Sequence, residues 1–543
     1  MQFKKNMQLE LQILSFGAQG EGIAKVDGFP IFVPLALPGE RVRAQIVKAE
    51  KKYAFAKAIE ILTPSHLRAA PPCPYYPQCG GCSCQHMQYA AQLDFKRNQV
   101  ESCMRHIGGV DVEVQPVIGM DDPWHYRNKI SMPVAPGKDG PAIGYYAQRS
   151  HRVISVDACR LSHDAADRVC ETVRLWMRQQ RVAAYDEETH TGLIRHVMTR
   201  MNRAGALMAV LVVNGERIPH GDALLKLLQQ RVPEMISLCI SSNTKRGNVI
   251  LGEHYRVLWG ESRLEDELCG NRFLISPLSF FQINPTQTEK LYQTAMTCAA
   301  LTSRENVADL YCGAGTISLM LARQAKHVTG IEIVPDAIRD AKENARRNGV
   351  ENVDFYCGEA ERILPERISA GLRPDVIVLD PPRKGAEASV LRCIADCAPS
   401  RIVYVSCNPA TQARDAKILS ELGYTAEFCQ PVDMFCQTAG VETVCLLSKI
   451  RSAPHIDIDL DMTELDVTAA ETKATYEEIK AYVLEHTGLK VSCLYIAQVK
   501  AKHGIIERDC YNKAKTEGNR VPKCPPEKER AIEEALRHFQ MIP

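Results

Sequence analysis

Between residues 271 and 450 the chain alternates apolar runs with amphipathic ones, and this alternation limits its possible folds more than any other feature. ENVADLYCG, HVTGIEI, VDFYCG, PDVIVLD and RIVYVSC read as strands. TISLMLARQA, AIRDAKENARRNG and ASVLRCIADCA, which lie between them, carry apolar residues at helical spacing. Strands separated by helices predict a doubly wound α/β sheet over 271–450. At 543 residues the chain is too long for one core, so further domains are expected around that sheet.

Residues 1–62 have a different rhythm. Short alternating segments (LELQIL, PIFVPL, RVRAQIVKAEK, YAFAKAIEIL) are broken at GAQGEG, DGFP and LPGE, as in a small all-β barrel. Residues 1–57 hold nine Lys/Arg against five Asp/Glu, with Lys48, Lys51, Lys52 and Lys57 around Tyr53 and Phe55. Basic groups interleaved with aromatics suit single-stranded nucleic acid, and a plain solvated face is the alternative. The pattern resembles the TRAM domain, an OB-like RNA-binding barrel. Residues 63–270 form a central α+β domain that opens on a Pro and Cys cluster. Residues 451–471 are an acidic linker, and 472–543 form a small, mostly helical C-terminal domain opening on a capping-box pattern, Thr475 to Glu478. A net charge of +1 identifies no partner. The N-terminus lacks a signal-peptide apolar region and runs such as Ala206 to Val213 are too short to span a bilayer, so a cytoplasmic protein without a membrane partner is expected. A monomer is the expectation for its assembly. In a reducing compartment twenty-one cysteines predict metal binding where they cluster, chemistry where one is specially placed, and otherwise buried filling rather than a disulfide framework.

A glycine-bearing loop, Gly313 to Gly315, joins the first strand of the alternating region to its helix. The next strand ends in Glu332, where a carboxylate can take two ribose hydroxyls. Ser318 stands where the dinucleotide fingerprint needs its third glycine, which disfavours a pyrophosphate and favours S-adenosylmethionine. Further on, DVIVLDPPRKG ends a strand in Asp380 and a stiff Pro-Pro turn, where many methyltransferases keep their substrate side.

RIVYVSC then delivers Cys407 to a strand end, and Pro409 stops the strand. A thiolate there can add to carbon 6 of a pyrimidine, so that carbon 5, otherwise a poor nucleophile, attacks a methyl sulfonium. A base must afterwards take the carbon 5 proton, and Glu442 in TAGVETVCLL is the candidate. An ordinary thiol is only slightly ionised at neutral pH, so the site must supply positive potential or a proton acceptor.

The set SFFQINP (Ser279 to Pro285), DLYCGAGTISL, IEIVPDAI, LDPPRKG, VSCNPAT and GVETV is similar, in order and spacing, to the RNA uracil-5-methyltransferase family, and the likeness runs through the N-terminal barrel. It implies a Rossmann-like class I methyltransferase domain in which Gln282, Tyr311, Glu332 and Asp380 bind S-adenosylmethionine, Cys407 is the nucleophile and Glu442 the proton-abstracting base. Two positions depart from the family pattern: Gly440 replaces a usual histidine, and Cys436 a common proline.

CPYYPQCGGCSCQH places Cys73, Cys79, Cys82 and Cys84 close together, a spacing that suits zinc or a [4Fe-4S] cluster equally. The resemblance implies a [4Fe-4S] cluster held by Cys73, Cys79, Cys82 and, from VDACRL, Cys159, with Cys84 an onlooker. It also implies the branch of the family that acts on 23S ribosomal RNA, in which the cluster would be structural or RNA-positioning. Downstream, Trp124, Tyr126, Arg127 and Lys129 mix aromatic and basic groups as if to hold unstacked bases, or as an inward-packed strand. The expectation is formation of 5-methyluridine in 23S rRNA. The alternatives are the same reaction on the T-loop of tRNA, an iron-sulfur RNA-binding or redox-sensing protein with an inactive fold, and methylation of cytosine.

Overall fold

The computed structural model describes residues 3–450, 476–503, 524–539 and 541–542. The expected acidic linker and Thr475 lie outside them. The chain divides into two compact units, Met1–Arg451 and Ser452–Pro543.

The first unit holds three large sheets. At its start six strands between Gln8 and Thr63 are ordered Gln8–Gln12, Arg41–Ala49, Ala54–Thr63, Phe29–Val33, Gly22–Val26 and Ser15–Phe16. Their alternation buries Leu11, Ile31, Val33, Val42 and Ile46 in one core and leaves Lys48, Lys51 and Lys52 in solvent. Next comes a seven-stranded sheet from Lys129 to Gly260, covered by the helices Asp164–Gln179 and Gly221–Arg231. Its inner strand Leu207–Val213 is buried at every residue, which explains why it reads as a continuous apolar run.

The third sheet carries the alternating region. Its strands are β1 (Asn306–Leu310), β2 (His327–Glu332), β3 (Val353–Cys357), β4 (Val376–Leu379), β5 (Arg401–Ser406), β6 (Tyr424–Val432) and β7 (Glu442–Lys449), in the spatial order β3-β2-β1-β4-β5-β7-β6, with the short strand Glu113–Val114 beside β6. Strands β1 to β5 are parallel, joined through α1 (Thr316–Ala322), α2 (Pro335–Arg347), α3 (Ala360–Ser369) and α4 (Ala388–Cys397). After α5 (Pro409–Glu421) the chain returns as an antiparallel pair, and β7 inserts between β5 and β6. The order of strands reverses between β1 and β4, and a ligand crevice forms where such a reversal occurs. Apolar layers on the two faces, around Val307, Val378 and Val403 on one and Ile377, Leu379 and Tyr404 on the other, bury the sheet fully.

Among the described residues one disulfide, Cys429–Cys445, links the facing strands β6 and β7, and most other cysteines are buried or half-buried free thiols. No helix is long and apolar enough to cross a membrane among the described residues. The second unit packs helices Tyr476–Thr487, Cys493–Lys502 and Pro526–His538 around Ile479, Val483, Ile496, Ile532 and Leu536.

Candidate active site

A turn of unusual backbone leaves β1. Tyr311 adopts a φ of 65°, Gly313 54° and Gly315 80°, so three residues in left-handed conformation swing the chain out of the sheet and into α1. At Gly315 a Cβ would stand 3.0 Å from Phe355 Cζ and 3.2 Å from Ala341 Cβ, a tight fit that adds to the cost of its left-handed backbone for any other residue. Ser318 bonds to the buried Asp309, so the position where a dinucleotide fingerprint wants glycine is used here to hold the loop's own support. Glu332, the last residue of β2, accepts from Gly313 N at 3.1 Å and Val334 N at 2.9 Å. Its carboxylate is thereby aimed at the loop, and each oxygen keeps a lone pair for a ribose hydroxyl.

Cys407 is fixed from both sides. Ser406 Oγ accepts from Asn408 N at 3.1 Å, and Asn408 Oδ1 accepts from Ala410 N at 3.1 Å, capping α5 with Pro409 in its first turn. Asn408 Nδ2 donates to Arg383 O at 3.0 Å, which ties the turn after Asp380 to the cysteine loop. Glu442 opens β7, one residue before Thr443, which pairs with Ser406. It is 4% exposed, whereas a glutamate at a strand end is ordinarily solvated. Gln282 precedes a helix, Pro285–Ala299, whose cap is Asn284: its side chain accepts from Gln287 N at 3.2 Å and donates to Met434 O at 3.2 Å.

These residues meet. Gln282, Tyr311, Glu332, Asp380, Cys407 and Glu442 all line one cleft of about 1240 Å³, along with Phe280, Arg383 and Phe435. That volume exceeds the usual range for one small ligand, leaving space for a base beside a cofactor. Burial raises the pKa of Asp380 to about 7. Burial and then Asp380 push Glu442 well above the ordinary carboxylate range, against the opposing pull of Arg383. Burial, followed by Glu442, raises the Cys407 thiol, and the Arg383 guanidinium works against that rise. The positive potential needed for a thiolate therefore has a source, Arg383, whose part in LDPPRKG no spacing revealed.

The cysteine segment borders a second cavity. Cys73, Cys79, Cys82 and Cys159 line one cavity with Arg127 and Tyr145. Among the described residues no three His, Cys, Asp or Glu side chains are gathered as ligands to a single metal ion. Cys84 lies apart, in a small core with Leu37 and Met87. Arg127 forms no salt bridge among the described residues, and its Nε is buried without a hydrogen-bond partner. The expectation that Tyr126 and Arg127 hold unstacked bases is corrected: Tyr126 is packed inward beside Cys82 and Leu161, its hydroxyl donates to Cys436 O at 3.0 Å, and Arg127 faces the cysteine cavity. Trp124 is half-buried in the same cluster, and Lys129 begins an inner strand of the central sheet. Trp124 and Tyr126 lie in the irregular segment before that strand and pack into this cluster beside the cysteine cavity.

Residues 88–450 match the family model described as tRNA (uracil-5-)-methyltransferase, and residues 3–59 match the TRAM domain. An uncharacterized RNA methyltransferase of Clostridium tetani is 47% identical over 446 residues, 82% of this chain and 97% of that protein. One from Listeria monocytogenes is 46% identical over 445 residues, 82% of this chain and 98% of its own length. Among solved structures, the Pyrococcus abyssi tRNA (uracil-54, C5)-methyltransferase in complex with S-adenosyl-L-homocysteine superposes with a TM-score of 0.66 at 26% identity, covering 81% of this chain and 99% of that one.

Proposed function

Because the chain belongs to the tRNA (uracil-5-)-methyltransferase family and begins with a TRAM domain, and so is an S-adenosylmethionine-dependent RNA methyltransferase, we propose that it forms 5-methyluridine in 23S ribosomal RNA. The observation that carries the chemistry is the meeting of Cys407, Glu442, Asp380 and Arg383 in one cleft. S-adenosylmethionine, when bound, supplies an electrophilic methyl group, and Gln282, Tyr311, Glu332 and Asp380 are the residues proposed to hold it. Arg383 favours the thiolate of Cys407, which bonds to carbon 6 of a uracil turned out of its stack. Electron density passes to carbon 5, which takes the methyl group. Glu442 then removes the carbon 5 proton, the double bond re-forms, and the sulfur leaves as thiolate. Burial and Asp380 raise the pKa of Glu442 and so disfavour the ionised form it needs when it acts, and the neighbouring Arg383 supports that form.

The choice of ribosomal RNA rests on the second site. We assign the cysteine cavity to a [4Fe-4S] cluster held by Cys73, Cys79, Cys82 and Cys159. Four thiols without a carboxylate among the lining residues suit iron and sulfide, and a buried guanidinium without a counter-ion suits a group of net negative charge. The cluster would brace the fold, and no step of methyl transfer passes through it. Transfer RNA is the second reading, favoured by the substrate named for the Pyrococcus abyssi structure. Incubation with purified 23S rRNA or tRNA and labelled S-adenosylmethionine separates them: label in rRNA is expected, and label only in tRNA refutes the choice. Cys407→Ala should abolish both methylation and the stable adduct with 5-fluorouridine RNA. Turnover surviving that change would refute the covalent route.

A further inference from the structure

The loop that delivers Glu442, residues 433–441, is held from an unexpected direction. The carbonyl of Gln437 accepts two hydrogen bonds, from Ser83 N and Cys84 N, both at 3.0 Å. Ala439 N donates to Ser83 Oγ at 3.0 Å, and Gln92 Nε2 donates to Gln437 Oε1 at 3.0 Å. Tyr126 adds its hydroxyl to Cys436 O, and Cys436 packs with Cys82 itself. Gln437 has a φ of 66°, a conformation that a side chain tolerates only when its surroundings impose it. The two N–H groups that hold its carbonyl belong to the segment 82–84, whose first residue lines the cysteine cavity. Five residues beyond Gln437 stands Glu442, and Phe435 of the same loop lines the substrate cleft. The departures at Cys436 and Gly440 both fall within this loop.

We infer that segment 82–84 and loop 433–441 form one clamp, through which an ordered cysteine site holds Glu442 in place for the last step of the reaction. Ser83 and Gln437 are positioning residues: neither lines the cleft, and they act through the path of the backbone. The inference rests on the covalent reading above. In that reading Cys407 addition and methyl transfer precede the work of Glu442. A loosened clamp should therefore leave the carbon–sulfur bond made but slow the removal of the carbon 5 proton that breaks it, and enzyme should collect as a covalent complex with methylated RNA.

The test uses the full chain, ordinary uridine RNA and S-adenosylmethionine, with protein–RNA adduct counted on denaturing gels and iron measured per chain. Glu442→Gln serves as the reference for blocked elimination. Ser83→Ala and Gln437→Ala should each collect at least about ten times the adduct of the natural protein, and natural protein stripped of iron by a chelator should do the same. Ser83→Thr, which keeps the hydroxyl, should behave as the natural protein with full iron. Adduct with Glu442→Gln but none with Ser83→Ala or iron-stripped protein would overturn the clamp and leave the covalent reading standing. No adduct with Glu442→Gln would overturn both.

Discussion

Cys407 and Glu442 stand side by side at one edge of the sheet, each a single residue outside the Ser406–Thr443 pair that ends the antiparallel ladder of β5 and β7. Because the two strands run in opposite senses, one contributes its last residue to that edge and the other its first. The Cys407 thiol is raised by burial and by the carboxylate of Glu442, so the pair is coupled before any ligand arrives. The proposed nucleophile and the group proposed to release it are thus held by a single pair of strands.

Replacing Glu442 by glutamine keeps the shape of the side chain and removes the base. General-base groups contribute about 10²–10⁴-fold, so turnover should fall by that factor while carbon–sulfur bond formation continues. Rapid-quench analysis should show methylated RNA bound to protein in an early burst. A variant that loses the burst along with turnover would show that Glu442 acts before methyl transfer.

Arg383→Gln should raise the Cys407 pKa further, because the guanidinium opposes the effects of burial and the carboxylates. The acidic limb of kcat/KM should move to higher pH. For a shift of about one unit, activity at neutral pH falls about tenfold and recovers in alkali. A uniform loss at all pH values would mean that Arg383 binds substrate and does not tune the thiol.

Asp380 should make cofactor affinity depend on pH. Burial raises its pKa to about 7, so it is protonated below that and a carboxylate above. A cationic sulfonium favours the carboxylate, so binding of S-adenosylmethionine should tighten from about pH 6 to pH 8, with proton release. S-adenosylhomocysteine carries no sulfonium charge and should depend on pH less. Calorimetry in buffers of different ionisation heat measures both effects. Equal pH dependence for the two ligands would place Asp380 away from the sulfur.

Lys96 and Asp433 form an ion pair in which both side chains are fully buried, and Lys96 Nζ also donates to Phe435 O at 3.2 Å. Lys96→Met would leave a buried carboxylate without its cation, and should cost about 3–5 kcal/mol in denaturant unfolding of the first unit. The double variant with Asp433→Leu should recover much of the loss, because removing both charges restores an apolar interior.

The sequence disclosed the site where its residues are punctuated by the chain itself. Glu332, Asp380 and Cys407 each end an apolar run beside glycine or proline, so their place at the sheet edge could be read locally. Glu442 could be read as the start of a strand, but its burial could not, because that depends on what covers the edge. Tyr126 was ambiguous for the same reason, since it lies in irregular chain before the strand at Lys129 and its burial depends on the cysteine segment packed over it. The ties between Ser83 and Gln437, and between Lys96 and Asp433, join segments more than 300 residues apart in chains of polar groups that follow no period. Arg383 was visible within a motif, but its influence on a thiol in a neighbouring loop exists only in three dimensions.

The reversed seventh strand has one more effect. In a wholly parallel sheet every residue at the ligand edge arrives after crossing the sheet, and is as rigid as the strand behind it. Here one member of the edge is approached from outside, along a stretch that has not yet entered the ladder. Changes to that approach can therefore shift Glu442 while Glu332 and Asp380, delivered by the forward-running strands, keep their places.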